Sequence, residues 1–225
     1  MKTVWFTADT HFGHKRIPLY ARRLFCLDER ERERAQSGPD SFKSGWSPSQ
    51  ESIDRMDDYL ITQINSLVAK EDILWHIGDF CWGHGEKLME NARRYREKIN
   101  CSNVSLILGN HDSEAMGRFF RECHRSCEIK VCHKHIVLAH YAYSFWNKSH
   151  HGSWMLYGHA HGTAESWMDE YMPGRLSMDV GVDNVAKVFG EYRPVSFEEI
   201  ASLFSSRKGF HTDGNKNNRG ALHLR

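Results

Sequence analysis

Residues 106–112 read Leu106-Ile107-Leu108-Gly109-Asn110-His111-Asp112. An apolar run of β-forming residues ends in a glycine, and an amide, an imidazole and a carboxylate follow at once. Groups that bind cations or move protons therefore stand at the rim where a buried strand stops. Four other segments share this plan: Asp9-Thr10-His11, Gly78-Asp79, His140, and Gly158-His159-Ala160-His161. Taken singly, each has an ordinary reading as a strand-end cap, a turn or an edge histidine. Their common position changes the reading, because each follows an apolar strand and open α/β sheets bind ligands beyond the carboxyl ends of their strands.

The donors are oxygen and nitrogen, with no thiolate. Such a set suits Mn, Fe, Ni, Co or Zn better than an all-oxygen Mg or Ca site. Asp9 and His11 are two apart, and at a strand end residues i and i+2 face one side, so a carboxylate and an imidazole could reach one cation. Asp79 has two oxygens and could bridge two cations. Asn110 offers a neutral carbonyl oxygen, and His159 and His161 could serve neighbouring ions. Two cations about 3.5–4 Å apart clamp a phosphoryl group for in-line displacement and acidify the water between them.

The elements that must position these groups follow from periodicity. Residues 2–8, 73–77, 104–108, 136–139 and 154–157 read as strands, rich in β-branched and aromatic residues. Residues 128–132 pair with 136–139 in a hairpin, and 176–182 reads as a late strand with Asp179 and Asp183 near its end. Residues 52–68 carry the clearest helix, with Ile53, Met56, Leu60, Ile61, Ile64, Leu67 and Val68 at helical spacing. Residues 86–99 form a second helix, apolar on one stripe and basic on the other face. A solvated charged helix over 28–34 and short helices within 15–27 and 113–121 are also expected. Ser196 and Glu199 form a capping box. The stretch 36–50, rich in Ser, Gly and Pro, reads as a loop or flap, and the chain from 205 onward as a disordered tail. Strands alternate with helices early and dominate later, which predicts one layered α/β domain over 1–204 with a mixed sheet.

The 225 residues suffice for one domain with a sizeable core, and the net charge of +1 supplies no global field for nucleic acid or an anionic membrane. Any nucleic-acid contact has to come from a local patch. The 15 histidines are many for this length. Cys123, Cys127 and Cys132, with His124, His133 and His135, lack the spacing of a closed tetrahedral zinc site and read as ordinary thiols. With no C-x-x-C pair, no secretory signal before the first strand and no apolar run near ~20 residues, a reduced cytoplasmic protein is expected, with no membrane span.

The five segments together resemble the calcineurin-like metallophosphoesterase superfamily, whose pattern is D-x-H, G-D, G-N-H-[DE], a lone H and G-H-x-H. The match runs from about residue 4 to 183. Thr7 to His14 further resembles the opening of small bacterial and phage phosphoesterases. The resemblance implies a four-layer α/β/β/α sandwich with mixed sheets and two divalent metal ions. It implies Asp9, His11, Asp79 and His161 on the first ion, and Asp79, Asn110, His140 and His159 on the second. It gives His111 the role of general acid or positive stabiliser, with Asp112 orienting it by a hydrogen bond. There are departures: Phe80-Cys81-Trp82-Gly83 follows Asp79 where many members carry a second acid, and no large capping domain is visible.

Around this set, His14, Lys15 and Arg16 could reach a phosphate or form a solvated basic turn. Trp82 and His84 could wall the pocket, Trp82 stacking on a base or packing on the second helix. Tyr141 and Tyr143 share that ambiguity. Asp179 and Asp183 could touch the metal ligands or serve as turn residues. The function expected is metal-dependent phosphoester hydrolysis, leaning to a diester of a small nucleotide or a nucleic-acid terminus. A phosphomonoesterase and a non-catalytic metal-binding scaffold are the alternatives.

Overall fold

A computed structural model describes residues 2–37 and 45–207. In the first sheet, β1 (Val4–Thr7), β2 (Ile73–Ile77), β3 (Asn103–Ile107) and β4 (Cys123–His124) run parallel, and β9 (Val195–Ser196) lies antiparallel on β1, giving the order β4-β3-β2-β1-β9. In the second, β5 (Ser126–Val131) and β6 (Lys134–Ala139) form the expected hairpin. There β7 (Trp154–Tyr157) and β8 (Ser177–Asp179) add in parallel, giving β5-β6-β7-β8. The helices are α1 (Ile17–Tyr20), α2 (Glu29–Gln36), α3 (Gln50–Leu67), α4 (Gly85–Lys98), α5 (Glu165–Tyr171), α6 (Val182–Phe189) and α7 (Phe197–Ser205).

Strand alternation builds the layers. Leu74, Val104 and Leu106 point from the first sheet to α3 and α4, where Ile53, Met56, Leu60, Leu88 and Tyr95 cover them. Phe6, Trp75, Ile77 and Ile107 point the other way and meet Ile136, Leu138, Trp154 and Leu156 of the second sheet. Val137, Ala139, Met155 and Tyr157, on its far face, pack with Met168 of α5 and with Met172. Helix, sheet, sheet and helix are thus stacked as four layers around mixed sheets. In the α3 stripe Ile53, Met56, Leu60 and Ile64 are buried almost completely, each stabilising by about 1.5–3 kcal/mol.

Several boundaries differ from expectation for local reasons. Helix α3 starts at Gln50 because the Ser49 side chain caps it by accepting from the Ser52 N–H. The expected strand over 176–182 stops at Asp179, whose Oδ1 accepts the Gly181 N–H at 2.7 Å and bends the chain into α6. Alternation of Met178, Val180 and Val182 imitated a longer strand. Helix α5 went unread because it buries only Met168 and so carries no stripe. The capping box of Ser196 and Glu199 is present. Helix α7 continues through Ser205, and Arg207 donates to the carbonyls of Arg175 and Ser177. The rest of the expected tail, 208–225, and residues 38–44 of the expected flap lie outside the described residues. Among the described residues no helix is long and apolar enough to cross a membrane.

Candidate active site

Both sheets send the carboxyl ends of their parallel strands to one rim. Beyond β1 and β2 the chains stay paired: Asp9 N–H donates to the Gly78 carbonyl at 2.9 Å and His11 N–H to the Asp79 carbonyl at 3.0 Å. The two sheets are seamed where Ala8 bridges Gly181 and Val182 N–H donates to the Ala8 carbonyl at 3.1 Å. That seam brings Asp9 against the second sheet, where its carboxylate accepts the His159 N–H at 2.9–3.0 Å.

Asp9, His11, Asp79, His159 and His161 all have left-handed backbones, with φ of 56, 49, 55, 70 and 49°. That conformation costs a non-glycine residue about 1–2 kcal/mol, and such strain concentrates where side chains are pre-organised for binding or chemistry. It also corrects the i, i+2 argument. Asp9 and His11 converge because two left-handed kinks turn them inward, not because a strand alternates. Two glycines are needed for close approach. A Cβ on Gly78, itself at φ +91°, would stand 2.3 Å from His140 Nδ1, and one on Gly109 would stand 2.2 Å from Asp79 Oδ1.

Three overlapping groups result, each with ligand atoms within 4.8 Å of one another: Asp9, His11 and His161; His11, Asp79 and His111; Asp79, His140 and His159. Asp79 Oδ2 sits among three imidazoles, 3.6 Å from His11 Nε2, 3.4 Å from His140 Nε2 and 4.0 Å from His111 Nε2. Its Oδ1 accepts the His111 N–H at 2.9 Å. Asn110 Oδ1 lies 3.1 Å from His140 Nε2 and 2.9 Å from His159 Nδ1. All seven residues expected as ligands therefore meet in one cluster, His159 and His161 in different groups.

The cluster fits divalent cations. Both ring nitrogens of His11 are buried without a hydrogen-bond partner, and a bound ion is one way such a group is satisfied. Burial holds the His11 imidazole well below its ordinary pKa and so in the neutral form that ligates. Burial, with the charge of Asp179, pushes Asp9 up to about 8. Burial works against Asp79 too, but the hydrogen bond and charge of His140, then His11, hold it well below the usual carboxylate range. His140 rises to about 9 despite burial, because Asp79 and Asp9 face it. A positive ion between these acids would relieve the repulsion that burial intensifies.

Tautomers follow from partners. His140 Nδ1 faces the Ile77 carbonyl at 2.9 Å, an acceptor only, so Nδ1 keeps its proton and it is Nε2, facing the cluster, that would give up its proton to a cation. His161 Nδ1 faces Asp183 Oδ2 at 2.6 Å. Burial opposes the Asp183 charge, yet Arg23 and His161 keep that carboxylate well below its ordinary range, so it too only accepts. Arg23 is fully buried. It clasps Asp183 through Nε at 2.8 Å and Nη2 at 2.7 Å, and donates to the carbonyls of Thr10 (2.9 Å) and Asp9 (2.5 Å). One guanidinium thus fixes both the backbone of the first motif and the carboxylate that aims His161.

Arg23→Met keeps the length but leaves Asp183 buried without its cation. The expected cost is about 3–5 kcal/mol of stability, read as a fall in the urea midpoint at unchanged slope. Arg23→Lys recovers only part, since a point charge cannot make the two-pronged contact. A midpoint shift worth less than about 1 kcal/mol would contradict this role.

One expected role is corrected. Asp112 does not orient the His111 ring. Its Oδ2 accepts the N–H groups of Asp79 (2.8 Å) and Gly109 (2.9 Å), and its Oδ1 that of Phe80 (3.1 Å). It staples the loop after β2 to the loop after β3, and these bonds use the oxygens that were to reach the imidazole. The His111 ring instead lies 5.5 Å from that of His11 and 4.8 Å from that of Trp82, centroid to centroid.

The flanking residues divide. His14 is buried, and its Nδ1 accepts the N–H groups of Arg16 and Ile17, holding the turn that leads into α1. Burial lowers its pKa to about 4. His14, Lys15, Arg16 and Trp82 all line an open groove beside the cluster. Trp82 lies outside the α4 core and is set among His14, His84 and His111. Tyr141, half exposed, stands 4.6 Å from the His159 ring. Of the late acids, Asp183 touches a candidate ligand, whereas Asp179 accepts the N–H groups of Gly162 and Gly181 and holds loops. Among the described residues the cysteines and histidines of 123–135 form no cluster of ligating atoms. Arg23 was missed. It lies in a mixed segment beside Arg22, and only its burial separates the two.

The family model described as calcineurin-like phosphoesterase matches residues 2–175. An uncharacterized protein of Methanocaldococcus jannaschii is 26% identical over 215 residues, 94% of this chain and 97% of its own length. A protein of unknown function from Aquifex aeolicus has a similar fold, with a TM-score of 0.59 at 20% identity over 90% of this chain and all of that one. YfcE, a phosphoesterase from E. coli, aligns more loosely, with a TM-score of 0.31 at 17% identity over 71% of this chain and 70% of that one.

Proposed function

Because the chain belongs to the calcineurin-like phosphoesterase family, we propose that it is a dinuclear metal-dependent hydrolase of phosphoesters, with a preference for diesters. The observation that carries this reading is His11. An imidazole with both nitrogens buried and unpartnered, beside a carboxylate shared by two groups of donors, is a poor solution for a protein that binds nothing there. Asp9, His11, Asp79 and His161 would hold one divalent ion, and Asp79, Asn110, His140 and His159 the other, drawn from Mn, Fe, Ni, Co or Zn. When bound, such a pair neutralises phosphate charge and acidifies water.

The chain's own residues supply the rest. His111 is half exposed and faces the cluster, its Nε2 4.0 Å from Asp79 Oδ2. It donates the proton that the leaving oxygen needs, and its backbone is pinned by Asp79 Oδ1. Asp112 keeps the two loops in register so that this imidazole stays over the centre. The diester preference is supported by aromatic rings on two sides, Trp82 near His111 and Tyr141 near His159, which suit a phosphate with two organic arms.

The Mn-loaded protein is expected to hydrolyse bis-p-nitrophenyl phosphate with a kcat/KM at least about tenfold above that for p-nitrophenyl phosphate, about 1.4 kcal/mol of differential transition-state binding. A faster monoester would remove the diester preference. No turnover of either substrate by protein carrying two metal equivalents would leave only the scaffold reading.

A further inference from the structure

Beside the cluster opens a groove of about 900 Å³, between the turn that follows His11, the start of α3 and the face of α4 that carries Lys87, Asn91 and Arg94. That volume is near the top of the range for small-molecule sites, about 300–1,000 Å³. The groove therefore has room for more than the phosphoryl group that reacts. Lys15, Arg16, Lys87 and Arg94 line it, against one lining carboxylate among the described residues, Asp54. Lys87 also meets Glu90 at 2.9 Å, in an exposed pair of small worth. On a chain of net charge +1 this is a local positive field, the kind of patch a nucleic-acid contact here requires.

The walls are aromatic as well as cationic. The Trp82 ring stands where the groove meets the cluster, 4.0 Å from the His14 ring and 4.8 Å from that of His111. The Arg94 guanidinium lies 5.1 Å over the Tyr95 ring, and that of Arg16 5.1 Å over the Tyr20 ring. Cations that track a backbone, combined with a ring that offers a stacking face, are how proteins bind single-stranded nucleic acid without reading its sequence.

We propose that this groove seats a single-stranded nucleic-acid end, one base on Trp82 and the following phosphates against Lys15, Arg16, Lys87 and Arg94, so that the ester near the terminus is presented to the cluster. The assignment rests on the phosphoesterase reading and names its substrate class. The groove opens beside the imidazole that serves the leaving oxygen, so it takes the leaving arm.

The test is the anisotropy of a 5′-fluorescein oligothymidylate of about eight nucleotides on Mn-loaded His111→Ala protein, across a salt series. The octamer is expected to bind at least about tenfold tighter than labelled thymidine monophosphate. Each phosphate contact contributes about 0.7 to the slope of log Kd against log salt for a single strand, so a slope of about 2 or more is expected. Lys87→Ala with Arg94→Ala, both at exposed helix positions where alanine suits the backbone, should weaken octamer binding about tenfold and lower the slope by about 1. Trp82→Leu should weaken it about fivefold or more and leave the slope alone. Octamer binding no tighter than the mononucleotide, or a slope indifferent to the double variant, overturns the proposal. So does equal competition by inorganic polyphosphate with Trp82→Leu silent. Should wild-type protein hydrolyse bis-p-nitrophenyl phosphate while those marks are missed, the groove assignment falls and the phosphoesterase reading stands. Should the octamer bind as expected to a protein that hydrolyses no phosphoester, the groove stands and the hydrolase falls.

Discussion

Asp79→Asn is expected to lose both bound cations together. The two carboxylate oxygens of Asp79 have separate duties. Oδ1 accepts the His111 N–H at 2.9 Å, and an asparagine amide oxygen can take over that bond, so the loop after β3 keeps its place. Oδ2 points among the Nε2 atoms of His11, His140 and His111 at 3.4–4.0 Å. There the variant presents an NH₂ group, a donor with no lone pair for a metal and no negative charge. Because Asp79 belongs to two of the three donor groups, one substitution would act on both of the proposed ions. The loss in metal affinity should exceed the roughly 10–100-fold that removal of an outer hydrogen-bond partner costs, and turnover should fall with it. Asp9→Asn is the control, since Asp9 belongs to one group only and should release one ion before the other. Metal analysis after gel filtration reads both variants. Two full equivalents in Asp79→Asn would overturn the bridging assignment.

His111→Ala has the opposite signature: full metal content and lost chemistry. The His111 ring is held by edges and faces of other rings rather than by a side-chain hydrogen bond, so truncating it leaves the cluster's other contacts in place. A positioned general acid contributes about 10²–10⁴-fold, or about 2.7–5.4 kcal/mol of barrier. The effect must depend on the leaving group. p-Nitrophenolate departs readily without a proton, so the loss on bis-p-nitrophenyl phosphate should sit at or below the low end of that range. An alkoxide or nucleoside leaving oxygen needs the proton and should show the full loss. Equal losses on both substrates, with metal intact, would assign His111 to electrostatic stabilisation of the phosphoryl group instead.

The contrast between His111 and its neighbour shows where reading by sequence stops. Adjacent residues of one motif, His111 and Asp112, invite the inference that they touch. In the folded chain the carboxylate turns away to three backbone N–H groups, two of them in a loop 32 and 33 residues earlier. Arg23 and Asp183 are 160 positions apart and nothing local marks either as a partner of the other. Most strand ends and the helices with an apolar stripe were legible because burial imposes a period of two or 3.6 on the residues that form them, whereas α5, with one buried residue, and the end of β8 were not. The positions of Asp9, His11, Asp79, Asn110, His140, His159 and His161 were legible because each follows such a strand.

What the amino-acid order determined alone is therefore which polar groups reach the rim: strand periodicity and the glycines at 78, 109 and 158 are local properties. Tertiary structure decided how those groups face one another. The left-handed turns at Asp9, His11 and Asp79, the seam of Ala8 with Gly181 and the cationic groove all arise from the order of strands in two sheets and the packing between them. A hydrogen-bond partner or a shared field depends on distance in space, and the linear pattern of apolar residues encodes only which face is buried.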